Sequence, residues 1–266
     1  MTYLPSLFAF LISLFASVIG AICGIGGGVI IKPVLDLFSI ADVAAASFLS
    51  CCTVCSMSCY SVIRSLRAGG GEVDLKVSTP LSVGAAIGGI AGNRIFTLVK
   101  SLFDDPDTVG APQALCLALI TVGTLIYTLN KERIHTLRVT NKAVCLLIGG
   151  GLGIMSSFLG IGGGPINLVV LFFFFSMETK IAAANSLYII LFSQVLNLIT
   201  TLISGSVPAF AWSMLLLMIT GGIAGGMIGR AVNKKIDGKT VDKLFIALMA
   251  VIILMSIYNT LKYSVL

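Results

Sequence analysis

Two glycine runs carry the clearest chemical potential in this chain. Cys23-Gly24-Ile25-Gly26-Gly27-Gly28 and Leu159-Gly160-Ile161-Gly162-Gly163-Gly164 lie some 136 residues apart, each inside a long apolar stretch. Successive glycines hold a helix poorly, at about 1 kcal/mol each relative to Ala, so a helix is expected to break at both places. A half-helix starting near Val29, and its twin starting at Pro165, would each present N–H groups with no intrahelical acceptor and the positive end of a helix dipole. Pro165 suits the first helical position because that position needs no N–H. Glycine also lets a ligand come close to the backbone. The chemistry implied is non-covalent capture of a small anion. Its candidate residues are Gly24, Gly26, Gly27, Gly28, Gly160, Gly162, Gly163, Gly164 and Pro165.

Four side chains join them as candidates. Lys32 is a cation in an apolar segment just past the first break, where it could meet an anionic ligand or reach for Asp36 and Asp42 at the surface. Asn167 follows the second break. Ser47 and Asn185 occupy matching positions in Ala44-Ala45-Ala46-Ser47 and Ala182-Ala183-Ala184-Asn185. Gln194, Asn197, Ser50 and Ser186 read as polar glue between helices. Cys51, Cys55 and Cys59 recur every four residues, a spacing that could make a soft-metal or redox stripe. No second His, Cys or Met cluster accompanies it, so close helix packing is the better reading and no metal or cofactor is expected. His135, the one histidine, falls in a basic linker. No catalytic constellation is found, and the chain is not expected to be an enzyme.

These groups need elements to hold them, and composition says which. Of 266 residues 57% are hydrophobic and 11% charged, far fewer charges than a soluble domain of this size carries. Apolar stretches long enough for a bilayer occur at 5–22, 43–63, 77–98, 112–129, 181–203, 209–229 and 244–261. In lipid such segments must be helical, since every backbone group is paired within the segment. The expected fold is an all-α integral membrane protein of about eight to ten membrane segments. Leu7–Ile19 lacks a basic leader and runs into the first glycine break, so it is expected to be a mature helix. The net charge of +6 belongs to loops and gives no reason to expect nucleic-acid binding.

The glycine runs belong to a repeat. Gly84, Gly88 and Gly92 match Gly221, Gly225 and Gly229, with Gly-Gly-Ile-Ala-Gly in both copies, and their spacing of four suits tight helix packing. The organisation expected is a first repeat at 1–130, a basic cytoplasmic linker at 131–142 and a second repeat at 143–266. Lys and Arg place the loop at 64–76, the linker and the loop after 229 in the cytoplasm. The uncharged loop 204–208 and the acidic loop with Asp104, Asp105 and Asp107 fall outside. Equivalent loops thus lie on opposite sides: an inverted repeat with two Gly-broken hairpins, whose breaks would converge on one central site.

Gly24–Gly28 with Pro33, and Gly160–Gly164, resemble the duplicated signature of the TauE/SafE family, the sulfite exporter or sulfonate-permease type of membrane protein. The resemblance covers nearly the whole chain. It implies a multi-pass plasma-membrane transporter whose partners are the lipid bilayer and a small anionic sulfur compound such as sulfite, sulfoacetate or another organosulfonate. Self-association is left open. With no Walker-type loop, alternating access without ATP is expected; a small-anion channel or a cysteine-based redox protein are the alternatives. The copies differ at Lys32-Pro33, which faces Leu168-Val169.

Overall fold

A computed structural model describes residues 3–38, 40–68, 72–101, 110–159 and 163–265. Among them are ten α-helices and no strand: α1 (Tyr3–Cys23), α2 (Gly28–Leu37), α3 (Val43–Arg67), α4 (Leu75–Ser101), α5 (Gly110–Asn130), α6 (Lys142–Leu159), α7 (Gly164–Phe175), α8 (Thr179–Ile203), α9 (Trp212–Lys235) and α10 (Gly238–Val265). Six are long and apolar enough to cross a membrane. Large apolar side chains such as Leu147, Ile203 and Leu254 point outward, the surface that hydrocarbon accepts and water does not. The chain is an all-α integral membrane protein.

α2 and α7 are the exceptions in length. At ten and twelve residues they rise only about 15 and 18 Å, half of a ~30 Å hydrocarbon core. Both start at a glycine break. α2 folds back along α1, with Gly20 and Gly27 pressed together so closely that a Cβ on Gly20 would meet the Gly27 nitrogen at 2.6 Å. It ends beside the start of α1, where Phe38 meets Phe8 edge-on at 5.2 Å. α7 ends at the other side of the bundle, against the segment joining α5 to α6. Leu137 and Val139 there donate their N–H groups to Phe173 and Phe174 at 2.7 and 2.9 Å. Those carbonyls belong to the last turn of α7 and lack intrahelical donors, so the basic linker serves as the cap of a half-helix.

Helix packing is reciprocal. α1 lies along α9 as α6 lies along α4, so the first helix of each half packs on the fourth of the other. α3 crosses α8, and α5 packs on α10. Glycine makes the two long seams. A Cβ on Gly84 or Gly88 would land on the carbonyl oxygens of Leu146 and Gly150, and one on Gly225 would meet the Leu14 carbonyl at 2.5 Å. Gly149 and Gly153 answer from α6 against Leu81 and Ala85. In lipid, backbone contact of this kind replaces the hydrophobic drive that water supplies elsewhere.

Polar contacts tie the α3–α4 loop and the linker to three helices at one end. Glu72, between α3 and α4, pairs with Arg230 of α9 at 2.7 Å. Lys131 pairs with Asp242 of α10 at 2.6 Å, donates to Thr179 of α8 at 3.1 Å and sits 4.7 Å from the Phe172 ring centroid. Lys131 is therefore a clamp between elements rather than a solvated linker cation. The opposite end carries an aromatic group instead, Phe48, Phe210 and Trp212 with ring centroids 5.3 and 5.1 Å apart.

Candidate functional site

The first break is shaped by two left-handed residues, Gly24 and Gly26, at φ 74° and 70°. Only glycine takes up this backbone without strain. Gly24 lies on the backbone of Ala183 in α8, and Gly26 on Val54 of α3 and Ile190 of α8. Gly28 opens α2 beneath Val54 and Ser50, and the N–H groups of Ile30 and Ile31 return to the Gly27 carbonyl at 3.0 and 2.9 Å. Lys32 sits one turn into α2, half-buried and engaged in an interaction of its own. Pro33 follows it inside the helix and leaves the Val29 carbonyl without its usual intrahelical donor.

The second break ends at Gly163 and Gly164, with φ 108° and 33°. Gly160 and Gly162 lie outside the described residues. Pro165 stands in the first turn of α7, as its missing N–H requires. Asn167 folds over the break: a Cβ on Gly163 would strike its Nδ2 at 2.5 Å. Its side chain is buried at 1% exposure, and its Oδ1 finds no hydrogen-bond partner among the described residues. Buried amides are ordinarily satisfied, so such an atom needs an explanation. Ile25 and Val29 share one apolar cluster with Leu168 and Leu171. The structure thus brings residues flanking both breaks into a single core beside the α3–α8 crossing.

Asn185 stands apart. Its Oδ1 accepts from the Asp74 N–H at 2.9 Å and the Ser78 hydroxyl at 2.5 Å, and its Nδ2 donates to the Glu72 and Ile181 carbonyls at 3.0 and 2.7 Å. All four positions of the amide are taken by protein. Asn185 holds the α3–α4 loop in place. Its repeat partner Ser47 is half-buried and engaged elsewhere. In the cysteine stripe, Cys51 donates to Gln194 Oε1 at 2.8 Å across the α3–α8 crossing. Among the described residues no group of three His, Cys, Asp or Glu could hold a metal ion.

Beside the first break, at the end where the basic loops meet, lies a cavity of about 400 Å³. Ala21 and Ala183 line it, and Ala183 is the residue on which Gly24 rests, so one layer of small side chains separates cavity from break. Three cations, Lys180, Arg230 and Lys234, face it against one carboxylate, Glu72. Such an excess draws anions in. The Arg230 guanidinium donates to Glu72 Oε2 at 2.7 Å, to the Ser65 hydroxyl, and to the Ser61 carbonyl at 3.4 Å. Asn233 donates to the Ile22 carbonyl at 2.6 Å, tying α9 to the last turn of α1. Partial burial pushes the Glu72 carboxyl up, but hydrogen bonding and charge from Arg230, with help from Ser65 and Lys234, hold it below its ordinary range.

Sequence reasoning did not find this cavity, though a trace of it was present. Gly222, Gly226 and Arg230 are spaced by four on one face of α9. That face lies on α3, with Gly222 against Thr53, Gly226 against Met57 and Arg230 against Ser61 and Ser65. An arginine at the end of a glycine packing stripe must either leave the interface or be buried with a partner.

Comparison with known proteins agrees with this architecture. The model of the sulfite exporter TauE/SafE family matches residues 9–256. The chain is 23% identical over 253 residues to the probable membrane transporter protein YunE of Bacillus subtilis (strain 168), covering 86% of this chain and 89% of that protein. No solved structure matches. The chain belongs to the sulfite exporter TauE/SafE family and is a multi-pass membrane transporter protein.

Proposed function

We propose that the chain is a secondary transporter that moves a small sulfur-containing anion, such as sulfite, sulfoacetate or another organosulfonate, by alternating access. The substrate site is built on the two broken-helix hairpins, related as an inverted repeat. The entry to α7 carries the reading. A half-helix begins there inside the bundle, at two glycines with positive φ, beneath a buried Asn167 amide with an unfilled hydrogen-bonding position. First-turn N–H groups and the dipole end favour an anion at this point, and a turn of the amide about χ2 offers it an N–H as well. Residues 24–28, Lys32 and Ser47 contribute from the other half.

Support for a sulfur anion comes from the family, which is named for sulfite export. Support for alternating access comes from the reciprocal packing of α1 on α9 and α6 on α4, which gives each half a matching seam on which to move. Flux of radiolabelled sulfite into proteoliposomes tests the reading. Saturation and acceleration by sulfite on the opposite side are expected. Linear, non-saturating flux would remove alternating access. Flux of a cation or neutral solute with none of any sulfur anion would remove the substrate class.

A further inference from the structure

The cavity at the basic end holds its own internal anion. Arg230 is the most constrained cation there, its guanidinium divided among Glu72, Ser65 and Ser61. Glu72 is not part of a helix; it stands in the α3–α4 loop, delivered to Arg230 because Asn185 grips the Glu72 carbonyl and the Asp74 N–H just after it. Lys234 is 3.9 Å from the second Glu72 oxygen, close enough for attraction and too far for a strong hydrogen bond. Lys180 faces the same space from the start of α8. One carboxylate for three cations leaves the cavity short of negative charge. A guanidinium fork accepts a planar carboxylate and a tetrahedral or pyramidal oxyanion equally well.

We propose that this cavity is an anion-binding antechamber distinct from the broken-helix site, in which a small sulfur oxyanion displaces Glu72 from Arg230 before passing the alanine layer at Ala21 and Ala183. Glu72 is then a resident surrogate for substrate, and Asn185 sets its position. The inference rests on the anion reading of the transporter and adds a second site to it. Because Glu72 competes with the ligand, removing its charge should strengthen binding, whereas removing Arg230 should weaken it. A residue that only stabilised Arg230 would give the opposite sign.

The test is thermal stabilisation of the purified full chain in detergent, titrated with sulfite or methanesulfonate at constant ionic strength, with chloride as the reference. For Glu72→Gln the half-saturating concentration should fall about 3- to 10-fold, as the fraction of Arg230 open to ligand rises. For Arg230→Gln it should rise at least about tenfold. Should Glu72→Gln not fold, Glu72→Asp, which keeps the charge but shortens its reach, should give a smaller fall. Weakening by the Glu72 variants, or no change, overturns the proposal, as does an absence of stabilisation of the wild type by either anion. Asn167→Ala separates the two sites. It should stop flux while leaving Arg230-dependent binding intact. Binding lost in Asn167→Ala but kept in Arg230→Gln would overturn the antechamber and leave the transport reading standing. Arg230-dependent binding without sulfite flux in the wild type would do the reverse.

Discussion

On α9, Gly222, Gly226 and Arg230 form one face; at the matching positions of α4 stand Ala85, Gly89 and Asn93. Both helices pack through glycine on the first helix of the other half, and both seams bring backbone against backbone. The frames are equivalent, yet the charge set into them is not. Around Arg230 the α3–α4 loop brings a carboxylate and α8 brings a lysine. The loop that corresponds to it, 204–208, carries no charge at all. The breaks differ in the same way. The first hairpin has Lys32 and Pro33 inside its half-helix, whereas the second has a buried amide and a cap supplied by the linker. The matched positions share their packing geometry and differ in their chemistry. One end of the bundle thus carries three cations around a cavity with a single carboxylate, and the other end an aromatic group.

The largest effects should fall on the shared frame. Gly88→Ala and Gly225→Ala each drive a Cβ into a carbonyl of the partner helix and should cost about 3 kcal/mol or more, seen in thermal or denaturant melts in detergent. Gly151→Ala, with nothing within 4 Å, should be neutral or gain up to about 1 kcal/mol. Equal losses at all three would mean that the seams are not held by close approach.

Next come the matched positions 185 and 47. Asn185→Ala leaves the Asp74 N–H, the Glu72 carbonyl and Ser78 without a partner and should cost about 2–3 kcal/mol in the same melts. Ser47→Ala should cost less, since one hydroxyl can satisfy fewer groups than the Asn185 amide with its four hydrogen bonds. A reversed order would break the argument that Asn185 is a loop clamp.

The charge asymmetry itself is sharpened by Arg230→Ala and Asn93→Ala. Removing the steering cation should lower flux entering from the basic end by about tenfold or more, with strong dependence on ionic strength. Asn93→Ala should stay within about twofold. Comparable losses would make the two ends functionally alike.

The smallest effect is one of pH. Glu72 is held below its ordinary carboxyl range in the folded protein, so its pairing with Arg230 stabilises fully above the unfolded value of 4.5 and is lost as pH falls through the lower folded value. Between pH 7 and about 4.5 the gap in melting temperature between wild type and Glu72→Gln should therefore stay constant, and as pH falls below 4.5 the wild type should lose melting temperature that Glu72→Gln does not, until the two converge. Screening at this half-exposed pair keeps the difference modest. Parallel curves would show that the pair adds nothing.

How much could be read without coordinates varies by residue. The breaks were legible because runs of glycine are costly in any helix, so Gly24–Gly28 announce an interruption regardless of surroundings. The seams at Gly84, Gly88, Gly92 and Gly221, Gly225, Gly229 were legible through their spacing. Asn185 was legible as a position and not as a set of contacts. Repeat symmetry marked it, but whether an amide faces ligand or loop depends on a segment more than a hundred residues away. Lys131 looked like an ordinary linker cation because its partner Asp242 is equally remote. The Arg230 cavity could not be seen at all, since it is assembled from α1, α3, α8, α9 and the loop at Glu72.

By itself the sequence determined that this protein lives in a membrane, that it is helical and that its helices break at the glycine runs. Those properties follow from composition, period and local backbone cost, which need no long-range contact. Only the tertiary structure decided that the halves exchange partners through α1 with α9 and α6 with α4, and that the linker caps α7. It also decided that Glu72 meets Arg230 over a cavity. Each of these depends on which distant groups share a few ångströms, and that is set when apolar faces and glycine seams choose their partners.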